Sequence, residues 1–216
     1  MKMITKLGRF SVLLCMVLSA QSILAQSKAD VFDGKTPITW LGLDYTQAKY
    51  IIAPASEEGS KTDATSTGAI KSYISAWNYI FLTEPQKFNV ARATHRTYVD
   101  NAISVTGKAN DAINRDLVSK NHADFKTLTE QNIADLVKNY DYQGKTGIGM
   151  LFFIEGMDKD TNTEGAWVTF VDMNSKTLLY TTYLTGKTGG MGFRNHWADA
   201  TFRILKAFEA DKNWTK

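Results

Sequence analysis

The sequence has almost no cysteine. Its single thiol, Cys15, lies within the first 25 residues, and none follows. Beyond residue 25 the chain therefore has no disulfide, no thiolate metal site and no cysteine nucleophile, and its stability must come from its core. Proline is scarce too: Pro37, Pro54 and Pro85 are the only ones, so none interrupts the last three-fifths of the chain. There are three histidines, His95, His122 and His196, and no two have close ligand spacing. No low-complexity tract or long linker divides the chain, which reads as one domain of roughly 190 residues after an N-terminal targeting segment.

That segment combines Lys2, Lys6 and Arg9 with an apolar run, FSVLLCMVL, over residues 10–18, and then the small and polar SAQSILAQS. The run is too short to span a membrane comfortably, so residues 1–25 are read as a signal peptide cut after Ala25. Leu14 stands before Cys15 where lipid attachment wants a small residue, which argues against a lipid anchor. Three basic side chains leave with the segment. The whole chain has 25 basic and 22 acidic residues, so the remainder is balanced and lacks the cationic excess of a nucleic-acid binder. The expectation is an exported protein, periplasmic or associated with the outer membrane, soluble after signal cleavage and without a transmembrane segment or nucleic-acid partner.

Residues 26–36 are polar and are expected to form a loose N-terminal arm on a single domain over 26–216. Strands are expected at 38–43 (ITWLGL) and 48–53, as one bent strand or a pair. Residues 54–68 read as a loop. Ile70, Tyr73, Ile74, Trp77, Ile80 and Phe81 recur at helical spacing, with Ser66 or Thr67 as cap and Pro85 as stop. A short helix around Phe88, Val90 and Ala93 and a strand over 97–105 follow. A helix over 127–140 opens on a Thr127–Glu130 capping box. The sheet signal is clearest at 148–154 (IGMLFFI), 166–171 and 177–184, joined by short polar turns that favour an antiparallel meander. A final helix spans 195–210. The fold class is α/β (α+β): a mixed five- or six-stranded sheet with a C-terminal three-stranded antiparallel meander and helices mainly on one face.

The sequence GKT occurs at Gly34, Gly144 and Gly186, but a phosphate-binding loop needs a further glycine where Ala29, Asn139 and Thr181 stand. DKDTNTEG places Asp158, Asp160 and Asn162 at calcium-loop spacing but has Thr163 and Thr169 where glycine and glutamate belong. No metal site and no cofactor is expected. His196, beside polar neighbours and with Asp199 or Glu155 as acidic partner, is the candidate catalytic group. Alternation over 177–184 places Tyr180 with Leu178 on the core face. It places Tyr183 with Leu179 on the other, where its ring is available to a ligand. The candidate binding residues are Trp167, Tyr183, Gly189, Gly190, Arg194 and Asn195.

Trp167 to Gly186 (WVTFVDMNSKTLLYTTYLTG) resembles a strand–turn–strand segment of Gram-negative envelope proteins. The element order is similar to the N-terminal domain of the TolB translocation protein and to related envelope accessory proteins. The end of the chain, strand then GKTGG loop then aromatic helix over Gly186 to Phe208, is similar to a family of secreted proteins of the Bacteroides group. These resemblances imply localisation and fold, not activity. The resulting expectation is a non-enzymatic envelope or periplasmic module that binds a protein or polymer. The alternatives are a periplasmic hydrolase or a small-ligand carrier with a polar site near His196.

Overall fold

A computed structural model describes residues 26–52 and 66–215 of the chain. The expected signal peptide and most of the loop over 54–68 lie outside the described residues. In chain order the elements are α1 (Lys28–Phe32), β1 (Ile38–Asp44), β2 (Lys49–Ile51), α2 (Thr67–Thr83), α3 (Val90–Ala93) and β3 (Asp100–Asn101). They continue with α4 (Ser104–Asp111), β4 (Val118–Ser119), α5 (Glu130–Asn139), β5 (Ile148–Asp158), β6 (Thr163–Asp172), β7 (Thr177–Lys187) and α6 (Phe193–Glu209). No helix among the described residues is long and apolar enough to cross a membrane.

The strands form one mixed sheet around β5. β1 runs parallel to the first half of β5 and β2 parallel to its second half, so the two candidate strands are one edge line broken at residues 45–48. Two-residue strands β3 and β4 extend that line outward, also in parallel. On the other side β5, β6 and β7 make the expected antiparallel meander. Helices cover both faces. α1, α2, α3 and α6 pack over Trp40, Phe152, Val168 and Phe170. α4 and α5 form a thinner second layer over Leu41, Leu151, Phe153 and Val171. The face without the large helices is therefore partly covered.

Bulges alter the expected alternation. β7 carries one at Leu179, between the pairs Phe170–Tyr180 and Val171–Leu178. The extra residue moves Leu178 to the side of Tyr183 and leaves Leu179 with Tyr180, the reverse of simple alternation. A second bulge at Glu155 returns Met157 to the α6 side of the sheet.

The strand expected over 97–105 is replaced by β3 and the helix α4. The reason lies in the edge of β1. Past Trp40, β1 has no neighbouring strand on its outer side, and side chains supply the missing partners. Thr106 Oγ1 donates to Leu41 O (2.7 Å), and Asn78 Nδ2 and Asn110 Nδ2 donate to Leu43 O (3.0 and 2.8 Å). Leu43 N–H donates to Asn78 Oδ1 and Tyr45 N–H to Asn110 Oδ1 (both 2.7 Å). Thr106 and Asn110 are four apart, and on α4 they stand one turn above the other on the face turned to β1, close enough together to serve Leu41 and Leu43. Buried backbone groups must be paired, and this network pairs them.

The capping box also moves. α5 starts three residues later than expected, capped by Thr129 with Asn132 in the reciprocal position. Thr127 instead turns its amide toward the Glu155 carboxylate.

The N-terminal segment is not a loose arm. Val31 is buried, and Phe32 packs edge-on against Tyr180 and Trp214. Arg96, itself buried, binds the carbonyls of Thr36, Asp30 and Val31 and reaches Asp33. A guanidinium offers five donors in a fixed fork, enough to replace the strand pairing this segment lacks. Arg96→Met should strand these three carbonyls and that of Thr94, and cost about 3 kcal/mol. Limited proteolysis should then cut within residues 26–36, where wild type resists.

Candidate functional site

The residues singled out from the sequence divide between the two faces. Gly189, Gly190, Arg194, Asn195, His196 and Asp199 surround the start of α6. The preceding loop is tied to the β5–β6 turn: Thr188 N–H donates to Asn162 O (2.9 Å), and the Lys187 ammonium reaches Thr161 O and Thr163 Oγ1 (2.9 Å each). Gly190 and Gly192 have φ of +80° and +81°, which glycine adopts without strain. Gly190, Arg194, Asn195 and Asp199 line a shallow cleft of about 380 Å³ with Glu84 and Lys87. Its charges are mutually engaged: Arg194 with Glu84 (2.9 Å), and Asp199 with Arg203 (3.0 Å) and Lys87 (3.4 Å).

His196 points its Nε2 at Asn162 Oδ1 (3.2 Å) rather than at Asp199. Partial burial, with Lys159 nearby, holds its pKa below the usual imidazole value. Asp199, one turn further along α6, serves Arg203 and Lys87. Glu155 lies on the opposite face. Its Oε1 accepts from the amides of Thr127 and Leu128, and its Oε2 from Trp167 Nε1 (2.8 Å). The geometry thus sets Glu155 apart from His196 and Asp199, and Asp199, though close to His196 on α6, is engaged by Arg203 and Lys87.

Trp167 is 5% exposed, so it is a core residue and not a surface contact. It meets Tyr183 edge-on at 5.3 Å, and the Lys126 ammonium sits 4.3 Å from the centre of the Tyr183 ring. Tyr183 is half-buried over Gly165, where any β-carbon would collide with its hydroxyl. Its ring is thus capped by a cation instead of lying open.

The acidic DKDTNTEG turn binds a histidine. Asp158 Oδ2 meets His122 Nδ1 (2.8 Å) and Asp160 Oδ2 meets its Nε2 (3.2 Å). Both carboxylates favour the imidazolium and raise its pKa. Below that pKa the pair pins the turn at residues 122–125 to the hairpin, and the tie weakens as pH rises through it. Among the described residues, no group of three or more acidic or histidine side chains is placed to hold a metal ion.

A cleft on the other face of the sheet was not anticipated. α4 lies over β1 and α5 over β7, and between the two helices opens a cleft of about 630 Å³. Val105, Ala109 and Ala112 form one wall, Leu128 and Leu136 the other, and Tyr140 lines it between them. The Tyr140 hydroxyl donates to Asp44 Oδ2 (2.5 Å), whose other oxygen accepts from Thr46 N–H and Oγ1 (2.7 and 2.6 Å). Asp44 is buried, and desolvation raises its pKa. Of the charged lining residues, Lys108 is paired with Asp141 (2.8 Å), and Asp135 adds a second carboxylate, so the lining carries one net negative charge. In sequence the only hints were Asp44 closing an apolar strand and Tyr140 closing a helix.

One more acidic group lies in the core beneath α6. Glu164 on β6 is buried, and its Oε1 accepts from Thr201 Oγ1 (2.8 Å). No family model, no curated protein and no solved structure matches this chain.

Proposed function

We propose that the protein is a non-catalytic binding module of the bacterial cell envelope, holding a small, largely apolar ligand in the α4–α5 cleft. The cleft carries this reading. Ligand sites have volumes of about 300–1,000 Å³, apolar walls and a few fixed polar groups, and this cavity of about 630 Å³ has all three features. Its net negative lining favours a neutral or cationic ligand over an anionic one. Envelope location rests on the signal-like residues 1–25. The protein or polymer partner expected from the sequence has less support, because Trp167 is buried and Tyr183 is capped by Lys126. The hydrolase alternative has less support because Glu155 stands on the face opposite His196 and Asp199 is engaged by Arg203 and Lys87.

The neutral fluorophore N-phenyl-1-naphthylamine tests the reading. Saturable binding is expected in wild type. Ala109→Trp, which fills the cleft from α4, should weaken it at least about tenfold, or 1.4 kcal/mol, with unchanged far-ultraviolet circular dichroism. Equal binding by a folded Ala109→Trp protein, or no binding by wild type, would reject the cleft as the site.

A further inference from the structure

Glu164 is the carboxylic acid in this fold with the least provision for a charge. It is 0% exposed, and the hydroxyl of Thr201 is its single hydrogen-bond partner among the described residues. Its second oxygen, Oε2, has none. Two further buried polar atoms in the same part of the core are also without partners, the Tyr45 hydroxyl and the Trp197 indole N–H. Tyr45 is close enough to feel the charge of Glu164. Trp197 is one helical turn before Thr201 on the buried face of α6. A buried carboxylate needs a cation or several donors, whereas a carboxylic acid needs much less.

Among the described residues, the groups around Glu164 offer no counter-charge. Tyr45 faces it from the β1–β2 junction, Thr201 and Trp197 come from α6, and Tyr183 on β7 is within electrostatic reach. The charged residues at that end of the sheet have other contacts. Lys187 binds Thr161 and Thr163, Asp158 binds His122, His196 contacts Asn162, and Lys159 acts on His196. α6 is seated too closely to admit solvent readily: a β-carbon on Gly186 of β7 would overlap the backbone of Ala200. Burial accordingly raises the pKa of Glu164 to about 8.

We propose that Glu164 is a buried proton-binding site that sets how tightly α6 packs on the sheet, holding the helix while the carboxyl is protonated and loosening it when the carboxyl is ionised. An opening of α6 that wets Glu164 returns the carboxyl to its ordinary pKa and releases one proton. Opening is therefore favoured progressively as pH rises between the two pKa values, and the effect levels off above the higher one. The face involved is opposite the α4–α5 cleft, so this inference stands or falls independently of the ligand.

Amide hydrogen exchange, read by mass spectrometry on α6 peptides and corrected for the intrinsic exchange rate, tests it. In wild type the α6 protection factor should fall by up to about tenfold per pH unit between pH 5.5 and 8, then flatten. In Glu164→Gln, which keeps a neutral hydrogen-bonding group, this fall should be absent; His196, whose lowered pKa acts in the opposite direction, is present in both proteins. A flat profile in wild type, or the same slope in a folded Glu164→Gln protein, overturns the proposal. If Glu164→Gln does not fold, Thr201→Val provides the second test. It removes the one hydrogen bond that favours the ionised form, so the levelling point should move to higher pH. An unmoved levelling point overturns the proposal.

Discussion

Gly42→Ala will lower the unfolding free energy by about 4 kcal/mol, an effect that combines two penalties. Gly42 adopts φ +104°, outside the region any L side chain occupies comfortably. Such backbone strain costs about 1–3 kcal/mol. A β-carbon there would also press on Asn78 Oδ1 and Thr106 Oγ1, the atoms that replace a neighbouring strand along β1. Forcing atoms into a packed core costs a further 1–3 kcal/mol or about that. Urea unfolding, with the midpoint falling at unchanged slope, measures the loss. Two further variants separate the penalties. Gly144 also has positive φ (+71°) but nothing near its missing β-carbon. Gly144→Ala should therefore show only the backbone part, about 1 kcal/mol. Thr106→Ala in the Gly42→Ala background should recover part of the loss if contact dominates, and none if strain dominates. A Gly42→Ala protein as stable as wild type would mean that the side-chain network on the β1 edge rearranges freely and does not determine the path of the strand.

That network also shows why the sequence was legible in some places and not in others. The helices α2 and α6 and the strands β5 to β7 declared themselves through local periodicity, because each buries a face whose pattern repeats within one element. Asn78 sits in the buried stripe of α2 between Trp77 and Phe81, and looks like an interruption until β1 is placed beside it. Thr106 falls just past the strand expected over 97–105, and Asn110 lies in ANDAINRD, which reads as a turn or a short helix. Their helical spacing has meaning only in relation to Leu41 and Leu43, more than sixty positions earlier. The bulge at Leu179 is equally silent: nothing in TLLYTTYL distinguishes an inserted residue from regular alternation. The same limit applied to the site. The residues near Gly190 that looked chemical are adjacent in sequence, and the fold spends them on local ion pairs. The cleft is built from α4, α5 and residues after β1, whose convergence exists only in three dimensions.

Glu164→Gln should have the second large effect, with a sign set by pH. The folded protein holds the Glu164 proton up to about pH 8, whereas in the unfolded chain the carboxyl has its ordinary value of 4.5. Between those values the native state binds more protons than the unfolded state. Wild-type stability therefore declines as pH rises from about 5 to 8 and stays at its lower level beyond. At 1.36 kcal/mol per unit, the full span corresponds to about 5 kcal/mol, an upper bound because water entering the core would lessen it. Gln cannot ionise, so the variant escapes this decline. Near pH 5 the two proteins should be close in stability, and at pH 8.5 Glu164→Gln should be more stable by several kcal/mol, or about 3–5. Parallel urea titrations at four pH values are sufficient, because the difference between the proteins cancels other groups such as Asp44, whose burial pushes it in the same direction. A difference that is independent of pH would show that Glu164 is already ionised in the native state at pH 5. In that case water or an ion would have to reach Oε2, Tyr45 and Trp197 beneath α6. The chain has no cysteine beyond residue 25 with which to staple this layer. Its hold on α6 therefore rests on packing, on contacts such as Arg194–Glu84 and the Trp77 indole on Arg194 O, and on the protonation of one buried acid.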